Sequence, residues 1–221
     1  MTKVDHISFF FGLVSICAPN LGFFSYLMVY CSFLFYYLVI ANTICFFVLR
    51  RLTFLLITFW SAVIALWNEG ILKNIIRQSR PEGACRSSYG MPSGHSVFAM
   101  FYLVWAILEI IFGTRKKWRP VTKVAVIFVF LINTALIPYS RVYLGYHTVA
   151  QVIVGSICGA VYAILVYLVH TKYRVKIKKW IWKFKFVRRY GLVDDYLREG
   201  ERPAHERDTK RKTLDLEINK N

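Results

Sequence analysis

A chain of 221 residues that is 57% apolar and 17% aromatic is too hydrophobic for a water-soluble fold, and apolar runs near 20 residues point to an integral membrane protein of one domain. The formal charge of +17 does not indicate a nucleic-acid partner. Of the 29 Lys and Arg residues, 16 follow His170 on the flank of the last apolar run, where membrane topology accounts for them.

In chain order, residues 7–18 form an apolar run too short to span, closed by Pro19-Asn20, and read as interfacial or re-entrant. Asp5 and that proline fit poorly with a cleaved signal peptide. Spans are expected at 23–49, ending at Arg50-Arg51, and at 52–70, ending at Asn68-Glu69-Gly70. A polar loop follows over 71–95, then a span at 96–112, a basic hinge over 114–120, and a span at 121–139 broken by Pro138. The last span, about 148–169, carries Gly155 and Gly159 at a spacing that lets helix backbones approach, weak evidence by itself for dimerisation. The expectation is an all-α polytopic transmembrane helix bundle with five or six membrane segments.

Two parts are expected: a membrane-embedded unit over 1–170 and a basic cytoplasmic tail over 171–221. In the tail, cations interleave with aromatics from Lys176 to Tyr190, as in a segment lying in the headgroup layer. With Arg50-Arg51, the hinge and the tail cytoplasmic, three segments obey the positive-inside rule. The loop over 73–95 and the segment over 140–147 then share the opposite face, since two spans separate them. Cys17, Cys31, Cys45 and Cys158 sit in apolar runs and read as small fillers, while Cys85 lies in the polar loop without an evident partner.

Three polar clusters interrupt the hydrocarbon: Lys73 to Arg80-Pro81, Pro92-Ser93-Gly94-His95, and Ser140-Arg141 followed by His147. Phosphoryl transfer spreads negative charge over equatorial oxygens, so a catalyst must hold cations and donors around them. Lys73, Arg77 and Arg80 would share one helical face, with Pro81 swinging Arg80 off the helix end. Singly, each cation also reads as a snorkelling flank. Ser93 is placed to cap the third span, leaving its first N–H groups for an anion. One of two histidines at this face would attack phosphorus while the other protonates the leaving oxygen.

These clusters resemble the signature of the type 2 phosphatidic acid phosphatase superfamily: Lys-x6-Arg-Pro, Pro-Ser-Gly-His and Ser-Arg-x5-His-x3-Asp, in that order. The resemblance covers about residues 60–170. It implies that Lys73, Arg80, Ser93, Gly94 and Arg141 bind phosphate, that His95 is the acid, and that His147 is the nucleophile. It implies no metal and no other cofactor. Glu69 is a supporting candidate, spaced to pair with Lys73 at i+4 and aim it.

Gln151 stands where most of the superfamily has Asp. Its carbonyl can fix the tautomer of His147 one turn away, but it cannot offset an imidazolium, which leaves an inactive lipid-binding or lipid-moving protein as a rival reading. One branch, the dolichyl diphosphatases of the endoplasmic reticulum, carries Gln here. Asn68-Glu69-Gly70, Tyr89 to Ser96 and Tyr139 to Leu144 resemble it too. The branch implies a polyprenyl diphosphate partner within the membrane, a lumenal site, and dolichyl phosphate returned for protein N-glycosylation. A broad lipid phosphate phosphatase and an undecaprenyl diphosphatase are the alternatives. The sequence carries no sign of oligomeric state.

Overall fold

A computed structural model describes residues 5–9, 14–50, 52–113, 118–181 and 183–185. Among them, five helices are long and apolar enough to cross a membrane. They are α1 (Phe23–Leu49), α2 (Leu52–Ile76), α3 (Gly94–Ile111), α4 (Pro120–Tyr143) and α5 (Val149–Ile181). The helical bundle expected from the apolar runs is therefore the observed architecture, with five candidate membrane segments.

The short amino-terminal run accounts for the difference between five and six. It pairs as an antiparallel hairpin, β1 (Asp5–Phe9) with β2 (Val14–Ala18), in a register that sets Asp5 opposite Ala18 and Phe9 opposite Val14. A segment this short cannot span, and the strand ladder satisfies its backbone instead. Ile16, Cys17 and Ala18 bury against Met28, Val29 and Cys31 of α1 and against Leu144 and Tyr146. Strand β2 thus lies beside the same loop that carries His147.

Helix α3 is the central element: 67% of its apolar window is buried inside the molecule, against 11% to 33% for the other four. Its Val97, Phe101 and Trp105 pack with Ile57 and Ile64 of α2 and with Ala163, Val166 and Tyr167 of α5. The closest approach is to α5, and the two glycines make it possible. A Cβ at Gly155 would stand 2.6 Å from the Ser93 carbonyl oxygen, and one at Gly159 would overlap the carbonyl oxygen of Val97. The small-residue spacing therefore joins two helices of one chain, which gives it a use without any dimer.

Three boundaries differ from the hydropathy reading. Helix α2 continues past Gly70 through a π turn, Trp67–Leu72, into a final turn at Lys73–Ile76. Helix α4 does not break at Pro138 but runs through it to Tyr143. Neighbouring helices supply the support that an isolated strand of peptide lacks, so proline is tolerated within membrane helices. Helix α5 continues to Ile181, carrying the first part of the basic tail as helix. Residues 186–221, Arg51 and most of the 114–120 hinge lie outside the described residues.

Candidate functional site

The first cluster divides at the end of α2. Arg77 adopts a left-handed conformation, φ 52°, that terminates the helix, and its Nε donates to the Asn74 carbonyl at 2.9 Å. Arg77 is exposed and lies outside the cavity lining, so the shared helical face of Lys73, Arg77 and Arg80 is not formed. Lys73 stays on the helix, buried, with Nζ 2.7 Å from the Glu69 carboxylate. The spacing of those two residues along the helix had suggested this pair.

Arg80 reaches back across the loop. Its Nε donates to the Ser88 carbonyl at 2.8 Å and Nη2 to Ser88 Oγ at 3.1 Å. Nη1 donates to the Tyr146 carbonyl at 2.8 Å and lies 3.1 Å from His147 Nε2. A guanidinium has only donors, so Nε2 of His147 must present its lone pair. On the other side of the ring, Nδ1 lies 3.1 Å from Gln151 Oε1 and donates to it. These two contacts fix the tautomer: hydrogen on Nδ1, lone pair on Nε2. Burial pushes the His147 pKa down to about 3, aided by the charges of Arg141 and Arg80, while the Gln151 hydrogen bond pulls the other way. The ring is neutral at any ordinary pH.

Gln151 does more than hold the ring. Its Oε1 also accepts from the Thr148 backbone N–H at 3.3 Å, and its Nε2 donates to the Ser79 carbonyl at 2.7 Å and to Gln78 Oε1 at 3.1 Å. Its backbone carbonyl accepts from the Ser93 N–H at 3.1 Å. One fully buried carboxamide residue thereby joins all three clusters. Gly90 lies against that carboxamide so closely that a Cβ would overlap it, and the Gly90 N–H donates to the Gln78 carbonyl at 2.8 Å.

Ser93 occupies the position before α3, but its hydroxyl does not cap the helix; it accepts from Ser96 Oγ at 3.2 Å. Its carbonyl accepts from Val97, so the N–H groups of Gly94, His95 and Ser96 precede the first helical bond. Gly94 lies under Glu69, whose Oε1 would be 2.7 Å from an added Cβ. His95 stands edge-on to the rings of Phe35 and Tyr36, with centroids at 5.7 and 5.9 Å. Arg141 is buried: Nη1 donates to Ser32 Oγ at 2.7 Å and its guanidinium lies over the Tyr146 ring at 4.1 Å. Its Nε has no hydrogen-bond partner among the described residues.

Lys73, Arg80, Arg141, His95 and His147 line one cavity of about 230 Å³, with Arg86 as a fourth cation and Glu69 as the single carboxylate among its lining residues. Crowding of like charge is felt at Arg80, whose pKa burial lowers first and Arg86 lowers further. Sequence reasoning gave no role to Arg86, Tyr36, Ser32, Gln78 or Tyr146. Arg86 and Gln78 lie inside the polar loop and Tyr146 beside His147, whereas Ser32 and Tyr36 sit in an apolar run that carries no such signal. The unexpected contributor is Cys85, joined to Cys17 by a disulfide across 68 residues of sequence. Neither cysteine is therefore a filler or unpaired.

Membrane helices that bring four cations and two histidines to one end define a class of proteins with an anion site at the bilayer rim. The family is specific: residues 54–174 match the PAP2 superfamily, and the chain belongs to it. Human dolichyldiphosphatase 1 is 33% identical over 151 residues, 59% of this chain and 62% of that protein. The dolichyldiphosphatase of Saccharomyces cerevisiae is 32% identical over 160 residues, covering 68% and 66%. Lipid phosphate phosphatase gamma of Arabidopsis thaliana is 35% identical over 111 residues, covering 45% and 46%. The matches thus span just under two thirds of the human and yeast relatives and less than half of the Arabidopsis one. A crystal structure of a transmembrane PAP2-type phosphatidylglycerolphosphate phosphatase from Bacillus subtilis superimposes with a TM-score of 0.55 at 26% identity, covering 69% of this chain and 79% of that one.

Proposed function

We propose that this protein is a phosphohydrolase of the membrane that removes the terminal phosphate of a polyprenyl diphosphate, dolichyl diphosphate in the first place. The observation that carries the reading is His147: its Nε2 lone pair lies among fixed cations while Gln151 holds the opposite nitrogen protonated. Nε2 attacks the terminal phosphorus in line, the bond to the bridging oxygen breaks, and His95 delivers a proton to the departing lipid phosphate. Water, losing its proton to His95, then cleaves the phosphohistidine and releases orthophosphate. Lys73, Arg80, Arg141, Ser93 and Gly94 hold the charge that develops on the equatorial oxygens. Glu69 supports Lys73.

The names of the human and yeast relatives, both dolichyldiphosphatases, favour this substrate and residence in the endoplasmic reticulum, with the product re-entering the carrier pool for N-glycosylation. A disulfide beside the site suits an oxidising compartment, hence a lumenal site. On this reading residues 1–170 are the membrane-embedded catalytic unit and 171–221 a basic cytoplasmic tail. The Arabidopsis relative makes a panel of lipids the proper test. Purified protein should turn over dolichyl diphosphate well ahead of phosphatidic acid, and His147→Ala should abolish both release and the acid-labile phosphoenzyme trapped by rapid quench. Equal turnover of the two lipids would remove the substrate, and unimpaired release by His147→Ala would remove the mechanism.

A further inference from the structure

A second cavity of about 220 Å³ adjoins the first and shares Tyr36, Arg86, His95 and Arg141 with it. It adds the Ser32 hydroxyl and Tyr146, and no acidic residue lines it among the described residues. Arg141 stands between the two, one nitrogen held by Ser32 and Nε buried without a partner among the described residues. Arg86 also lines both, is exposed, and makes no hydrogen bond or ion pair with a described residue. A buried unpaired donor such as Arg141 Nε is costly unless a partner completes it, and the exposed Arg86 guanidinium, held by no described side chain, is free to take the same anion.

The position of Arg86 is set by covalent chemistry. The preceding residue, Cys85, is bonded to Cys17 of β2, whose N–H donates to the Tyr146 hydroxyl at 3.0 Å. The hairpin, through that bond, holds the polar loop against the wall that carries Arg141.

In a lipid diphosphate the two phosphorus atoms share one oxygen, so the phosphate that is kept must lie directly beside the one that is cleaved. A monophosphate ester would instead place its alkyl chain there. We propose that the second cavity receives the retained phosphate, with Arg86 as the cation that makes the site select a diphosphate over a monophosphate and Arg141 bridging the two groups. This rests on the reading that the substrate is a lipid diphosphate.

The experiment compares a prenyl diphosphate and the monophosphate of the same chain in mixed micelles, using the full chain and Arg86→Gln. The ratio of kcat/KM between the two lipids should fall about 10-fold or more in Arg86→Gln, as for loss of one charge-assisted contact, and Arg86→Lys should restore part of it. Methylenediphosphonate should inhibit the wild type more tightly than orthophosphate, and that margin should shrink in Arg86→Gln and in Cys17→Ser. An unchanged ratio, or diphosphonate no tighter than orthophosphate on the wild type, overturns the second subsite. A wild type that hydrolyses only the monophosphate yet still prefers diphosphonate overturns the substrate reading and leaves the subsite standing.

Discussion

Replacing Gln151 by the aspartate usual in the superfamily is expected to harm this protein. Aspartate is one methylene shorter and has no N–H, so it would set carboxylate oxygens against the Ser79 carbonyl and Gln78 Oε1, both of which now accept from Nε2. Losing these two part-buried hydrogen bonds costs about 2 kcal/mol, on the order of 30-fold. If this is spent on aiming His147, Gln151→Asp lowers kcat by that order with KM little changed, and Gln151→Ala does likewise. A loss confined to KM would count against a positioning role. The depressed pKa of His147 gives a second test. Its folded value of about 3 lies below the ordinary 6.5, so acid protonates the unfolded chain first, and stability present above pH 6.5 is lost as pH falls toward 3. Between pH 6.5 and 5 the loss is about 2 kcal/mol. Thermal unfolding in detergent without phosphate should show that extra acid sensitivity in the wild type and not in His147→Asn; identical pH profiles would mean the ring is not buried neutral.

At the scale of elements, α3 against α5 carries the architecture, because it places His95 and His147 at one end of the bundle. The overlap predicted for a Cβ at Gly159 is with the Val97 backbone, which cannot swing aside. Gly159→Ala should therefore cost about 1 to 3 kcal/mol. Gly70, also within a helix but with no described atom within 4 Å of an added Cβ, is the control: alanine there should not destabilise and should add up to about 1 kcal/mol. Equal melting temperatures for the two variants would mean that α3 and α5 do not meet as described. The helices were legible because hydrocarbon runs mark spans directly, and the order of the clusters with span parity was enough to expect both histidines at one face. What escaped were the helix through Pro138 and features set by partners distant in the chain: the pairing of Cys17 with Cys85, and the hydrogen bonds of Gln151 to Gln78, Ser79 and Ser93. Arg77 escaped for a local reason, since a left-handed residue at a helix end reverses the face its side chain takes.

For the whole molecule, the proposed lumenal site is supported independently by charge and by covalent chemistry. Arg50, Arg119 and the basic end of α5 stand at one level of the bundle in sequence order, and the site loop with its disulfide at the other. The proposed orientation, with the first group cytoplasmic, satisfies the positive-inside rule and leaves the disulfide in an oxidising compartment, where such bonds persist. The motif loop is itself basic, yet its cations face a cavity that needs them for an anion, so they do not weigh as topology signals in the same way. Single cysteines at the exposed positions Glu82 and Arg119 separate the alternatives in sealed microsomes treated with a membrane-impermeant maleimide. Arg119→Cys should react at once and Glu82→Cys only after detergent opens the vesicles. The reverse order would invert the protein and remove the lumenal site. Simultaneous reaction of both would place two loops separated by one helix on the same side, which a bundle in which α3 crosses the membrane does not permit.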